Sequence, residues 1–149
     1  MYLISTEQGL DYVRRVREGN LDRDEWTHEV HLIVGLWHFI EFKSNALTEM
    51  RQTIRQFNQS VGTINSDQTG YHETMTFYWL LQLKQFCERI NKFSFDETTI
   101  DELMFDESLV KRNSFLEFYS LDLMKSVEAR RKVVSPDLKN LPDFDFFQP

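Results

Sequence analysis

The sequence predicts an all-α fold, a compact bundle of about five to seven helices with an extended C-terminal tail. Three observations carry that prediction. Apolar residues recur at spacings of three and four through most of the chain, which is helical periodicity. Only five Gly and three Pro occur in 149 residues, too few turn-formers for a many-stranded β protein. Hydrophobic residues make up 41% of the chain and aromatics 14%, enough to fill one substantial core in a single domain spanning residues 1–149.

The first helix is predicted over residues 5–18. Ser5 with Gln8 three positions on is a capping-box pattern, and Gly19-Asn20 is a helix stop. A second helix is predicted from near Asp22 to about Lys43, with Asp24 and Glu25 in its first turn, where the helix dipole favours negative charge. From Val30 to Phe42 its apolar side chains cover nearly the full circle, which places it at the centre of the bundle. The third, over about residues 45–61 with Ser44 as N-cap, aligns Leu47, Met50, Ile54, Phe57 and Val61 on one face. After a polar loop, residues 62–70, a fourth helix over residues 71–91 carries His72, Thr76, Trp79, Leu83, Phe86 and Ile90 on one face. Shorter helices are predicted over residues 96–103, 106–119 and 120–132, the last capped by Ser120 and ended before Ser135-Pro136. The tail, residues 136–149, alternates Pro, Asp and apolar residues without helical period. It is expected as an extended segment packed on the domain or on a partner.

Acidic residues outnumber basic ones 24 to 17, for a net charge of −7, so no basic field exists for a phosphate backbone and no nucleic-acid partner is expected. The most apolar stretch, residues 32–40, is interrupted by His38 and followed by Glu41 and Lys43, too short for a bilayer, so no membrane partner is expected. The single Cys87 has no intramolecular disulfide partner, and the first ten residues lack a basic, then apolar, leader pattern. A cytoplasmic setting is the expectation, with Cys87 as a small core residue. The chain contains no Gly-rich phosphate loop, Cys-x-x-Cys pair or Gly-x-Ser-x-Gly elbow.

The four histidines, His28, His31, His38 and His72, lie in the first half of the chain. At about 100° per residue, taking His28 as origin, His31 falls at about 300°, His38 at about 280° and Gly35 at about 340°. The three imidazoles then share one helix edge with a gap at Gly35, and His72 heads the inward stripe of the fourth helix. A His-x-x-His turn plus a third His from another helix can supply three nitrogen ligands to a divalent transition metal such as zinc, iron or nickel. His28, His31 and His72 are therefore the candidate metal ligands, and Glu25, about 60° from His28, is the candidate orienting carboxylate. Without metal, one of these imidazoles is the candidate general acid or base, tuned by burial and by a carboxylate or Tyr71. The same residues also fit the role of hydrogen-bonded core histidines.

Two familiar metal patterns are absent. A di-iron bundle needs two Glu-x-x-His motifs; Glu25 to His28 fits one, but Thr69 stands three residues before His72. His28-Glu29-Val30-His31 is one residue short of the zinc-protease spacing. Glu73, about 100° from His72, is expected to complement a helix end or bind a basic neighbour. Asn65, Asp67 and Thr69 before the fourth helix are read either as a polar mouth or small anion site, or as simple N-capping. The basic runs Arg14-Arg15-Arg17 and Arg130-Arg131-Lys132 are read as solvated faces.

Trp26-Thr27-His28-Glu29-Val30-His31-Leu32, Gly70-Tyr71-His72-Glu73-Thr74 and Ser135-Pro136-Asp137-Leu138 together resemble a set of small, mostly bacterial helical proteins with these motifs. The resemblance spans about residues 26 to 141 and implies a shared fold and a shared site at His28, His31 and His72, without an activity or a substrate. The functional expectation is an interior histidine-lined site for a mononuclear metal or a small organic ligand, for binding or for catalysis. The alternative is a non-enzymatic interaction protein with structural histidines, forming homo-oligomers or binding a partner through Leu141, Phe144, Phe146 and Phe147.

Overall fold

A computed structural model describes residues 3–147 and is all-α: no strand occurs among the described residues. Four long helices form the body, α1 (Thr6–Glu18), α2 (His28–Phe42), α3 (Ala46–Ser60) and α4 (Glu73–Ile90). Four short ones follow, α5 (Glu97–Met104), α6 (Glu107–Val110), α7 (Leu121–Met124) and α8 (Val127–Arg131). No helix among the described residues is long and apolar enough to cross a membrane.

The predicted capping box opens α1: Ser5 Oγ accepts from the Gln8 N–H at 3.1 Å and Gln8 Oε1 accepts from the Ser5 N–H at 2.8 Å. Gly19 ends it in the left-handed conformation, φ 74°. The central position expected for α2 is observed, with Leu32, Ile33, Val34 and Leu36 buried and α1, α3 and α4 packed around it. A Cβ on Gly35 would lie 2.9 Å from Leu83 Cδ1, so the missing side chain lets α2 approach α4 closely.

Several boundaries depart from the sequence expectation, and at α2, α4 and α8 a polar side chain caps a new helix start. The second helix does not begin near Asp22. Asp22 closes a separate 3₁₀ turn, Arg23–Glu25, and Thr27 then caps α2 by accepting from the Val30 N–H at 3.3 Å. Ser44 is not the cap of α3, because it lies within the 3₁₀ turn Lys43–Asn45 that leaves Asn45 at that position. His72 is not inside α4 but is its N-cap. The single helices expected over residues 106–119 and 120–132 are each divided. α6 gives way to a 3₁₀ turn at Ser114–Glu117, and Ser126 starts α8 by accepting from the Ala129 N–H at 3.1 Å. Each break leaves main-chain carbonyls at the end of a short helix without helical partners.

The tail folds back onto the domain. Leu141 and Phe147 are buried; the Phe144 and Phe147 rings stand 5.2 Å and 6.2 Å from Phe77, and Phe146 lies 6.3 Å from Phe39. Lys84 Nζ reaches Asp143 at 3.1 Å and Gln85 donates to the Pro142 carbonyl at 3.0 Å, fixing the turn against α4. Residues 148 and 149 of the predicted tail lie outside the described residues.

Cys87 is fully buried beside Phe86, and burial pushes its thiol up to about 11. The native protein is therefore expected to resist Ellman's reagent at pH 8 and to react with one equivalent in denaturant, as absorbance at the thionitrobenzoate band reports.

Candidate functional site

A cavity of about 570 Å³ opens between α2, α3 and α4, and His28, His31 and His72 are among the residues that line it. Aromatic walls come from Trp26, Phe57, Tyr71 and Trp79, and Leu32, Met50, Ile54, Met75 and Leu80 supply aliphatic surface. The exposed Arg23 and Arg112 stand at its edge.

The three imidazoles are not equivalent. His28 Nε2–H donates to the Leu109 carbonyl at 2.8 Å, at the end of α6, and its ring meets Trp79 edge-on at 4.7 Å. His72 Nε2–H donates to the Met124 carbonyl at 2.7 Å, the last residue of α7, while Nδ1 accepts from the Met75 N–H at 3.1 Å. Both rings thus fill helix-end hydrogen bonds that the broken C-terminal half would otherwise leave open. Burial lowers the His72 pKa, in keeping with a neutral ring that accepts at one nitrogen and donates at the other.

His31 differs. Its Nδ1–H donates to the Thr27 carbonyl at 2.7 Å, and its ring lies 3.6 Å from that of Trp26, tilted by 31°. That contact fixes the tautomer and leaves Nε2 as a lone-pair acceptor with no partner among the described residues. Burial, helped by the positive fields of His28 and Arg112, lowers the His31 pKa to about 4, so the ring is neutral at physiological pH.

The expected three-nitrogen metal set is not assembled. Two of its members spend Nε2 on carbonyls, and no group of three or more His, Cys, Asp or Glu among the described residues is placed to hold a metal ion. Glu25 does not orient His28 either. The break at Trp26-Thr27 removes the helical relation between them, and Glu25 instead binds Arg15 at 2.8 Å. Nor does His38 share the cavity. It is fully buried about two turns further along α2, donating from Nδ1 to the Val34 carbonyl at 2.7 Å, while Nε2 accepts from the Thr53 hydroxyl at 2.8 Å and faces Arg17 Nη1 at 3.4 Å.

Tyr71 lines the cavity and ties it to a charged network. Its hydroxyl donates to Glu73, which Arg51 grips in bidentate fashion at 2.9 Å and 2.6 Å. Glu73 thus binds a basic neighbour, as anticipated. The loop residues serve the loop: Asn65 Oδ1 accepts from the Tyr71 N–H at 3.0 Å, the Thr69 hydroxyl donates to the Ile64 carbonyl at 2.9 Å, and Asp67 pairs with Arg131. Arg130, read as a solvated charge, donates to the Gly70 carbonyl at 3.0 Å. The second basic run is therefore a clamp that holds the residues 62–70 loop over α8. Arg23 and Arg112 escaped the sequence reading, since neither belongs to a periodic face or a motif.

The buried histidines set an acid limit on stability. His38 has a folded-state pKa of about 4, lowered mainly by burial, against about 6.5 in an unfolded chain. Below 6.5 the unfolded chain takes up a proton that the native state refuses, so this stability is complete above pH 6.5 and is lost as pH falls toward 4. The expected loss from His38 is about 2 kcal/mol between neutral pH and pH 5. Asp67, Asp96 and Asp137 have lowered pKa values and act in a separate window below about pH 4. Urea unfolding at stepped pH checks this, with His38→Gln expected to flatten the slope between pH 6.5 and 5.

Set against family models, curated proteins and solved structures, the chain matches none of them.

Proposed function

We propose that this protein binds a small organic molecule in the cavity between α2, α3 and α4, with His31 Nε2 accepting a hydrogen bond or a proton from it. The observation that carries the reading is an unpartnered, neutral imidazole nitrogen within aromatic and aliphatic walls around about 570 Å³. That volume and composition are typical of sites that enclose small ligands, where a few placed polar groups set orientation. Nε2 can only accept while Nδ1 holds the proton, which suits a ligand carrying an O–H or N–H group. Histidines 28 and 72 hold the walls through their carbonyl contacts, and His31 meets the ligand.

2-Naphthol is a suitable probe, since it has a flat apolar body and one strong donor. It is expected to bind by ligand-observed NMR and calorimetry, and His31→Phe is expected to weaken it about tenfold or more while leaving naphthalene unchanged. Loss of binding in Val61→Trp/Met75→Trp, which fills the cavity, places the probe there. If naphthol and naphthalene both fail to bind, or both ignore the filled cavity, the reading is wrong.

A further inference from the structure

The charge of the cavity is at odds with that of the protein. Acidic residues exceed basic ones 24 to 17 over the chain, yet no Asp or Glu lines the cavity, while Arg23 and Arg112 both do. Most other arginines are occupied: Arg14, Arg15, Arg51, Arg89 and Arg131 are in ion pairs, and Arg130 holds main-chain carbonyls. Arg112 makes no hydrogen bond or ion pair among the described residues. Arg23 spends one N–H on the Thr63 hydroxyl at 2.7 Å and keeps the rest of its guanidinium free. Guanidinium groups present planar, paired donors suited to a carboxylate, and an adjacent wall of low dielectric strengthens that attraction.

The walls define the rest of the ligand. Trp26, packed on His31, and Trp79, in edge contact with His28, are partly buried and give the cavity wall flat aromatic surface suited to a planar ring system. His31 Nε2, in the same cavity, is available for a ligand donor. We infer that the cavity takes an aromatic carboxylate, its ring system against Trp26 and Trp79 and its carboxylate at Arg112 and Arg23. This inference rests on the cavity being a ligand site and adds the class of ligand. An anion here also meets no repelling carboxylate, whereas an ammonium ligand would meet two fixed cations.

Matched acids and amides separate charge from shape. The full-length protein is titrated with 2-naphthoate and 2-naphthamide, and with 6-hydroxy-2-naphthoate and its amide, by calorimetry and saturation-transfer NMR. Each acid is expected to bind at least tenfold more tightly than its amide at low salt, and to weaken as salt rises. The variant Arg23→Gln/Arg112→Gln, changed only at exposed positions, is expected to lose that tenfold preference, its affinity for the acid falling about tenfold further than its affinity for the amide. If acid and amide bind equally, or the double variant keeps the preference, the carboxylate assignment is overturned and the cavity reading stands. Should neither acids, amides nor 2-naphthol bind, both are overturned together. Acid binding that persists in Val61→Trp/Met75→Trp lies elsewhere on the protein and also overturns the assignment.

Discussion

Glu73→Ala is expected to lower the unfolding free energy by about 3 kcal/mol, because it strips two different groups of their partner at once. Glu73 is nearly buried and accepts from the Arg51 fork on one side and from the Tyr71 hydroxyl on the other. Arg51 is about a third exposed (37%) and can turn toward water, so its share of the loss is small. Tyr71 cannot: it is 6% exposed, and its hydroxyl would be left inside without an acceptor. Burial beside the Glu73 charge already pushes the Tyr71 pKa well above its usual value, so ionisation offers no escape. Glu73→Gln, which keeps an oxygen for the hydroxyl, is expected to cost about half as much, and Tyr71→Phe about 1 kcal/mol. Chemical denaturation of the single variants and of Glu73→Ala/Tyr71→Phe forms a cycle in which the double variant costs less than the sum. Strict additivity would show that the hydroxyl and the carboxylate do not act as a unit.

The features legible in the sequence are the local and periodic ones. α1 and its capping box, the all-round burial of α2 and the one-sided faces of α3 and α4 follow from spacing alone, since side chains three and four apart must share a face. Short polar side chains defeated the same method. Thr27 and Ser126 compete for backbone N–H groups and restart the helix within stretches whose apolar pattern reads as continuous. That matters for the site, because the helical wheel linking Glu25 to His28 assumes an unbroken helix and the chain leaves it at Trp26. His28, His31 and His72 all line the cavity, but what each nitrogen does was not readable from spacing. The acceptors for His28 and His72 are carbonyls 81 and 52 positions away, exposed by breaks that periodicity does not reveal. Arg112 likewise reaches the cavity edge from a linker between α6 and the following 3₁₀ turn, where no pattern marks it.

Replacing Phe144 and Phe147 together by alanine is expected to cost about 4 kcal/mol, which tests whether the tail belongs to the core or to a partner. Phe147 is 7% exposed, Phe144 is partly buried, and both rings rest on Phe77, itself fully buried in α4. Removing them opens a cavity at Phe77 and takes away the apolar cover that Lys84 and Gln85 fix in place through Asp143 and the Pro142 carbonyl. The two losses share one neighbour, so the pair should cost less than the sum of the single variants. A tail that existed to bind another chain would behave differently: its rings would be exposed in the isolated protein, and their loss would abolish association with little change in melting temperature. Thermal unfolding and sedimentation velocity on the same samples separate the cases. A fall in melting temperature of roughly 8 to 15 °C at unchanged sedimentation coefficient supports a tail that closes the core. An unchanged melting temperature with a smaller sedimenting species would return the tail to the role of an interaction surface.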